Sequence, residues 1–78
     1  MSAMEQLVNY LAKTLVTMPD QVEVKRTETE QAVTIELHVA PEDMGKVIGK
    51  QGRIAKSIRT LVKAATITDE KPTFVEIL

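Results

Sequence analysis

Apolar and polar positions along this chain repeat with two different periods, which divide the sequence into helical and extended segments. In residues 2–17, apolar side chains recur at steps of three and four, as on one face of an amphipathic helix. Ser2 and Glu5 stand at the spacing of a capping box, in which each side chain satisfies a backbone amide of the first turn. Pro19 and Asp20 predict a turn after this helix.

Two segments alternate with a period of two and therefore predict strands. The first covers residues 22–27 and the second residues 32–40, with a polar hairpin loop between them. The second strand places Val33, Ile35, Leu37 and Val39 on one face and Thr34, Glu36 and His38 on the other. Because each strand has one polar face, we expect a sheet that is covered on one side only.

Helical periodicity returns after residue 40. Proline and two acidic residues at 41–43 favour the start of a short helix, which ends near Ile48 because glycine follows. A further helix begins after Gly52 and runs to about Ala65. Its predicted core stripe consists of Ile54, Ile58, Leu61, Val62 and Ala65.

The last predicted element is a strand at residues 73–78, with Val75 and Ile77 on one face. The element order is then α-β-β-α-α-β. This order predicts an α+β fold in which three helices pack on one face of a three-stranded sheet. We expect residues 1–78 to form a single domain, because a chain of 78 residues is short for two.

Composition narrows the class of protein. The chain has 44% apolar and 27% charged residues, which is typical of a soluble globular domain. It has no cysteine, which excludes disulfides and thiolate metal sites. Leu7–Met18, the longest apolar segment near the N-terminus, is interrupted by polar residues and too short to span a membrane. We therefore expect a cytoplasmic protein without a membrane span.

Charge is distributed very unevenly, although the net charge is only −1. Residues 44–68 contain six of the ten basic residues and none of the eleven acidic ones. A local excess of positive charge favours a polyanionic partner.

Gly49, Lys50, Gln51 and Gly52 form a G-x-x-G loop between two predicted helices, inside this basic segment. Glycine adopts positive φ readily and lets a ligand approach the backbone closely. Backbone N–H groups at the positive end of a following helix attract phosphate. The loop therefore predicts a clamp for a sugar–phosphate backbone, although the same sequence is compatible with a tight corner between two helices.

The segment from Val47 to Gly52, V-I-G-K-Q-G, resembles the V-I-G-x-x-G signature of the KH domain. The predicted element order resembles the bacterial, type II form of that fold, and the resemblance covers essentially the whole chain. It implies binding of about four nucleotides of single-stranded RNA or DNA. The chain departs from the family pattern at Ala55, where isoleucine is common, and has Ile54 one residue earlier.

The resemblance also implies which residues form the site. Gly49, Lys50, Gln51 and Gly52 would hold phosphates, and Val47, Ile48 and Ile54 would line a groove for bases. The second strand, at residues 35–39, would form the opposite wall. The candidate RNA-binding residues are Lys46, Val47, Ile48, Gly49, Lys50, Gln51, Gly52, Arg53, Ile54, Lys56 and Arg59.

Protein partners are a further implication of the resemblance. KH proteins of this kind form homodimers, pair with a larger KH-domain protein and are connected with post-transcriptional regulation, cell shape and cell division. An alternative function is therefore an assembly module that acts mainly through protein contacts. Residues 57–62 of the third helix are the predicted dimer surface, because this helix is broadly apolar.

Other functions fit the sequence poorly. A P-loop would need four residues between its glycines and a hydroxyl after its lysine, but three residues separate Gly45 from Gly49 and Gln51 replaces the hydroxyl. His38 is the only histidine, and its strand position predicts an exposed or structural role. We therefore expect no catalytic residues, no metal site, no cofactor and no enzyme activity.

Overall fold

The computed structural model describes residues 2–78, and the predicted helices and strands are found there in the predicted order. The helices are α1 (Ala3–Leu15), α2 (Met44–Ile48) and α3 (Arg53–Ala65). The strands are β1 (Glu23–Glu28), β2 (Val33–His38) and β3 (Thr73–Ile77). Short 3₁₀ turns at Pro19–Gln21, Pro41–Asp43 and Lys50–Gly52 connect them. Most boundaries differ from the predictions by one or two residues, and α3 begins where it was predicted to begin.

The N-terminus of α1 is closed by the predicted capping box. The Glu5 amide donates to Ser2 Oγ at 3.2 Å, and the Ser2 amide donates to Glu5 Oε1 at 3.1 Å. The helix ends at Leu15 rather than at residue 17, because Val16 is extended. The next two amides turn away from the helix and donate to a side chain distant in sequence, as described below.

The three strands form one mixed sheet in the order β1-β2-β3. β1 and β2 are antiparallel, whereas β2 and β3 are parallel, with Ile35 opposite Val75. Burial alternates along β2, so one sheet face lies under the helices and the other is open, as predicted. Ile35 and Leu37 on the covered face are completely buried.

The core lies between this covered face and the helices, but α3 is rotated from its predicted orientation. Its buried residues are Ala55, Ile58 and Val62. Leu61 is 49% exposed and Ala65 is also exposed, so their prediction as core residues was wrong. Apolar residues cover more of the α3 surface than the sheet and α1 can bury, and packing selected the part centred on residues 55, 58 and 62.

Asp43 has a role that its sequence position did not indicate. It precedes α2 but makes no side-chain capping bond to that helix. Its carboxylate is completely buried and accepts hydrogen bonds from the Thr17 amide at 3.0 Å, the Thr17 hydroxyl at 2.8 Å and the Met18 amide at 3.0 Å. Asp43 therefore joins the start of α2 to the segment that follows α1.

Candidate nucleic-acid interface

The G-x-x-G loop makes its sharp turn through three residues with positive φ. These are Gly49 at 78°, Gln51 at 58° and Gly52 at 73°. Gly49 combines its φ with a ψ of 173°, in a region that is essentially restricted to glycine. Gln51 is the only non-glycine residue with positive φ among residues 2–78, so backbone strain is located at the loop tip.

The two loop glycines are required for different reasons. A Cβ atom on Gly49 would lie 2.6 Å from Cγ1 of Ile54, closer than van der Waals contact permits. A Cβ on Gly52 would meet nothing within 4 Å. Gly49 is therefore needed for its conformation and for close packing of Ile54, whereas Gly52 is needed for its conformation alone.

Fewer loop amides are available to a ligand than the sequence suggested. The Gly49 amide donates to the Gly45 carbonyl at 2.9 Å, and the Gly52 amide donates to the Gly49 carbonyl at 3.1 Å. The Arg53 amide donates to the Lys50 carbonyl. Within residues 2–78, no partner is found for the amides of Lys50 and Gln51. Among these loop amides, those of Gly49 and Gly52 are engaged within the turn, and those of Lys50 and Gln51 at the loop tip remain available as donors.

Four basic side chains surround the loop: Lys46, Lys50, Arg53 and Lys56. All four are exposed, and both ion pairs within residues 2–78 involve Glu28, elsewhere on the molecule. The N-terminus of α3 has no side-chain cap. The positive helix end and the unpaired cations therefore add at one surface and favour an anion there.

Arg59 lies apart from the loop. It follows Gly52 by seven residues, so it stands about 10 Å further along α3. Its Nε donates to the carbonyl oxygen of Val75 in β3 at 3.2 Å. Arg59 therefore lines the groove between α3 and β3 rather than the turn itself.

The three predicted aliphatic residues differ in accessibility. Val47 is completely buried and offers no surface to a ligand, so it supports the loop from below. Ile48 is 36% exposed, and Ile54 is partly buried between Gly49 and the core. Ala55, where the chain departs from the family pattern, is only 3% exposed and faces the core, whereas Ile54 packs against Gly49 of the loop.

The strand beside α3 is β3, not β2. Residues 35–39 of β2 were the predicted opposite wall of the groove. In the structure β2 is the central strand, and its apolar side chains are covered. β3 is an edge strand that α3 contacts. The groove between them is lined by residues that include Arg59, Lys63, Lys71 and Phe74. In a β-α-α-β connection between neighbouring parallel strands, the connecting helices pack over those two strands. The element order could therefore have indicated that α3 packs beside β3.

The described part of the chain gives two further observations. No helix in residues 2–78 is long and apolar enough to cross a membrane. No group of three or more His, Cys, Asp or Glu side chains in the same range is arranged to hold a metal ion.

Solved structures with a similar fold include two of Era. One is Era of Aquifex aeolicus bound to GDP and AlF4⁻, with a TM-score of 0.67 and 20% identity over 95% of this chain and 29% of that one. The other is Era with MgGDPNP and nucleotides 1506–1542 of 16S ribosomal RNA, with a TM-score of 0.68 and 19% identity over 96% and 30%. This chain thus spans under a third of Era, and the likeness concerns the fold.

Together, the α-β-β-α-α-β order and the glycine loop between α2 and α3 define a type II KH domain. The family described as KhpA/KhpB, KH domain matches residues 5–77, and the chain belongs to this family. Among its relatives is the RNA-binding protein KhpA of Clostridium acetobutylicum, 57% identical over 96% of this chain and 100% of that protein. Another is the RNA-binding protein KhpA of Caldanaerobacter subterraneus subsp. tengcongensis, 60% identical over the same shares.

Proposed function

We propose that this chain is a single KH domain that binds single-stranded RNA at the surface around its G-x-x-G loop. The observation that carries the proposal is the group of exposed, unpaired cations beside the uncapped start of α3. Relatives that are matched over their full length are named RNA-binding proteins, which supports RNA as the ligand. The chain acts as a binding protein and not as an enzyme.

We propose different roles for the residues of the site, with the described contacts as support. Lys50 and Gln51 hold phosphates through their amides and side chains, while Gly49 and Gly52 give the turn its shape. Lys46, Arg53 and Lys56 add positive charge around the turn. Ile48 and Ile54 provide apolar surface near the loop. Arg59 lies further along α3, where the bound RNA would continue into the groove between α3 and β3.

A charge reversal at the loop tip tests this proposal. In the double variant K50D/Q51D we expect binding of short single-stranded RNA, measured by fluorescence anisotropy, to fall by about 100-fold or more, because two carboxylates would face phosphate. The matched control is K25D/Q31D, which makes the same two chemical changes at exposed positions on the open sheet face and hairpin. Circular dichroism checks that both variants fold. Unchanged affinity in a folded K50D/Q51D protein would refute the assigned site.

We also propose that α3 forms a contact with a second copy of the chain or with a larger KH-domain protein. Leu61 is 49% exposed in the middle of the helix. With 3.6 residues per turn, Leu61 lies on one side of the buried stripe and Lys56, Arg59 and Lys63 lie on the other. RNA bound along the basic side of α3 would therefore leave Leu61 accessible to a protein partner.

Light scattering after size exclusion measures this assembly. We expect Leu61→Asp to convert a dimer to a monomer, whereas Tyr10→Asp, on α1 and 67% exposed, leaves it intact. A folded Leu61→Asp protein that remains dimeric would exclude this surface.

From the family resemblance we extend the proposal to a cytoplasmic role in post-transcriptional regulation, with consequences for cell shape and division.

A further inference from the structure

The buried carboxylate of Asp43 lies at the start of α2, at the end of that helix opposite to the loop. It accepts three hydrogen bonds, all from Thr17 and Met18, which are 25 or 26 residues earlier in the chain. A buried carboxylate with three donors is a strong and directional link, because each bond is charge-assisted. The link joins the segment directly after α1, a helix that packs in the core, to the helix that carries the loop.

The short helix α2 needs such a link. It has five residues, far fewer than the roughly 12 that an isolated helix requires for marginal stability in water. One of its five residues, Val47, is completely buried and fixes the end next to the loop. Asp43 fixes the other end, and the Gly49 amide donates back to Gly45 within the helix. The direction of α2 therefore sets the direction of the loop.

We propose that Asp43 is a positioning residue for RNA binding, which holds α2 so that Lys46 and the amides of Lys50 and Gln51 face the same phosphate strand. The inference rests on the proposed function of the loop. Asp43 is buried and does not touch RNA itself. Its contribution is to align several groups that each bind phosphate weakly. Their binding energies add only when all of them face the same RNA backbone.

The protonation state of Asp43 is consistent with this role. The hydrogen bond from the Thr17 amide is the main influence that lowers the pKa of Asp43, against burial, which raises it. The positive charge of Lys46 also lowers this pKa. The carboxylate is therefore ionised at neutral pH and accepts its three bonds at full strength.

The test uses two graded variants and one control. Asp43→Asn replaces one accepting oxygen by an NH₂ group that faces an N–H donor, and Thr17→Val removes the hydroxyl bond alone. The control Thr66→Val removes the buried hydroxyl bond to the Val62 carbonyl, 2.8 Å long, at the other end of α3. All three proteins are compared with the parent chain by circular dichroism, thermal unfolding and RNA titration.

The salt dependence of RNA binding separates positioning from simple loss of stability. A less stable protein binds fewer RNA molecules per chain, but its folded fraction still neutralises the same phosphates. Misalignment leaves some phosphates without a cation, and the slope of log K against log salt becomes shallower by about 0.7 for each of them. For Asp43→Asn we expect a shallower slope and about tenfold weaker binding, as for loss of one charged hydrogen bond. Thr17→Val should show a smaller change of the same kind, and Thr66→Val none.

Amide hydrogen exchange provides a second readout that does not depend on RNA. We expect the Gly49 amide to exchange about tenfold faster in Asp43→Asn, because its acceptor lies in α2. In Thr66→Val that amide should be unaffected. A parent chain that binds no RNA would refute the proposed function, and unchanged loop exchange in Asp43→Asn would refute the positioning role. If Asp43→Asn does not fold, the same two measurements on Thr17→Val decide the question.

Discussion

Basic side chains near the two ends of α3 differ in whether an acidic side chain pairs with them. At the loop end, Lys46, Lys50, Arg53 and Lys56 are exposed and form no ion pair within residues 2–78. Near the far end, about 20 Å away along the helix, Arg26 and Lys71 from other segments are paired within the fold. Lys63, in the last turn of α3, belongs to neither of these ion pairs. Lys71 Nζ lies 2.7 Å from Glu28 Oε2 and donates to the Thr29 carbonyl at 2.9 Å.

Glu28 forms ion pairs with two basic side chains at once. Its other oxygen lies 3.0 Å from Arg26, so one carboxylate joins β1 to the turn before β3. The far-end cations thus contribute to the fold, although surface pairs of this kind add only about 0–1 kcal/mol each. The loop-end cations have no such partner and repel one another until a polyanion binds. The comparison shows that the cations paired within the fold are those beside Glu28, whereas the proposed RNA-binding cations lie in a segment without acids.

The substitution at the loop end with the largest expected effect on stability is Gly49→Ala. We expect it to lower the free energy of unfolding by about 3–4 kcal/mol, from the glycine-only backbone conformation and the contact with Ile54. Gly52→Ala has positive φ but free space, so its cost should be about 1 kcal/mol. Urea unfolding of both variants measures the difference. Equal losses would show that Ile54 moves aside and that the close approach does not constrain the loop.

Paired neutralisations compare the two ends directly. Lys46→Gln with Lys56→Gln should weaken RNA binding about 20-fold at 0.1 M salt and make the salt slope shallower by about 1.4. Arg26→Gln with Lys71→Gln removes the same total charge at the far end, and we expect binding within about twofold of the parent chain, since local contacts dominate. Anisotropy titrations over a range of salt concentrations measure both. Similar losses from the two pairs would mean that overall charge, and not the loop end, governs binding.

Acid should weaken the far end through Glu28. Hydrogen bonds from Lys71 and then Arg26 lower the pKa of Glu28. A carboxyl group with a lower pKa in the folded state stabilises the fold above its unfolded pKa, and this stability is lost as pH falls through the folded value. We therefore expect stability to decrease below about pH 4, the ordinary range of glutamate, with a contribution from Asp43, whose pKa is also lowered. Urea unfolding from pH 7 to pH 3 should show a smaller decrease in Glu28→Gln, and an identical decrease would exclude Glu28 as a source.

The smallest effect concerns strain at the loop tip. Gln51→Gly should raise the free energy of unfolding by about 0.5 kcal/mol, because glycine adopts a φ of 58° without steric cost but loses more entropy on folding. The neighbouring change Lys50→Gly has no positive φ to relieve and should lower stability by a similar amount. Thermal unfolding distinguishes the two signs. A loss of stability in both variants would show that the Gln51 side chain compensates for its backbone.

The sequence alone determined the features that depend on near neighbours. The capping box of Ser2 and Glu5, the alternation along β2 and the start of α3 after Gly52 are local patterns, and all were predicted. The uneven distribution of charge was also predicted, because it follows directly from the positions of the charged residues in the sequence. The V-I-G-K-Q-G segment then identified the family, which the comparisons confirmed.

Only the tertiary structure decided what depends on packing between distant segments. It selected which side of α3 is buried, placed β3 rather than β2 beside that helix, and engaged the glycine amides inside the turn. It also brought Asp43 to Thr17, across 26 residues, where no periodic pattern points. Periodicity fixes the position of a residue along its own helix or strand, but the rotation of that element and the contacts across the core follow from how all elements fill the same volume.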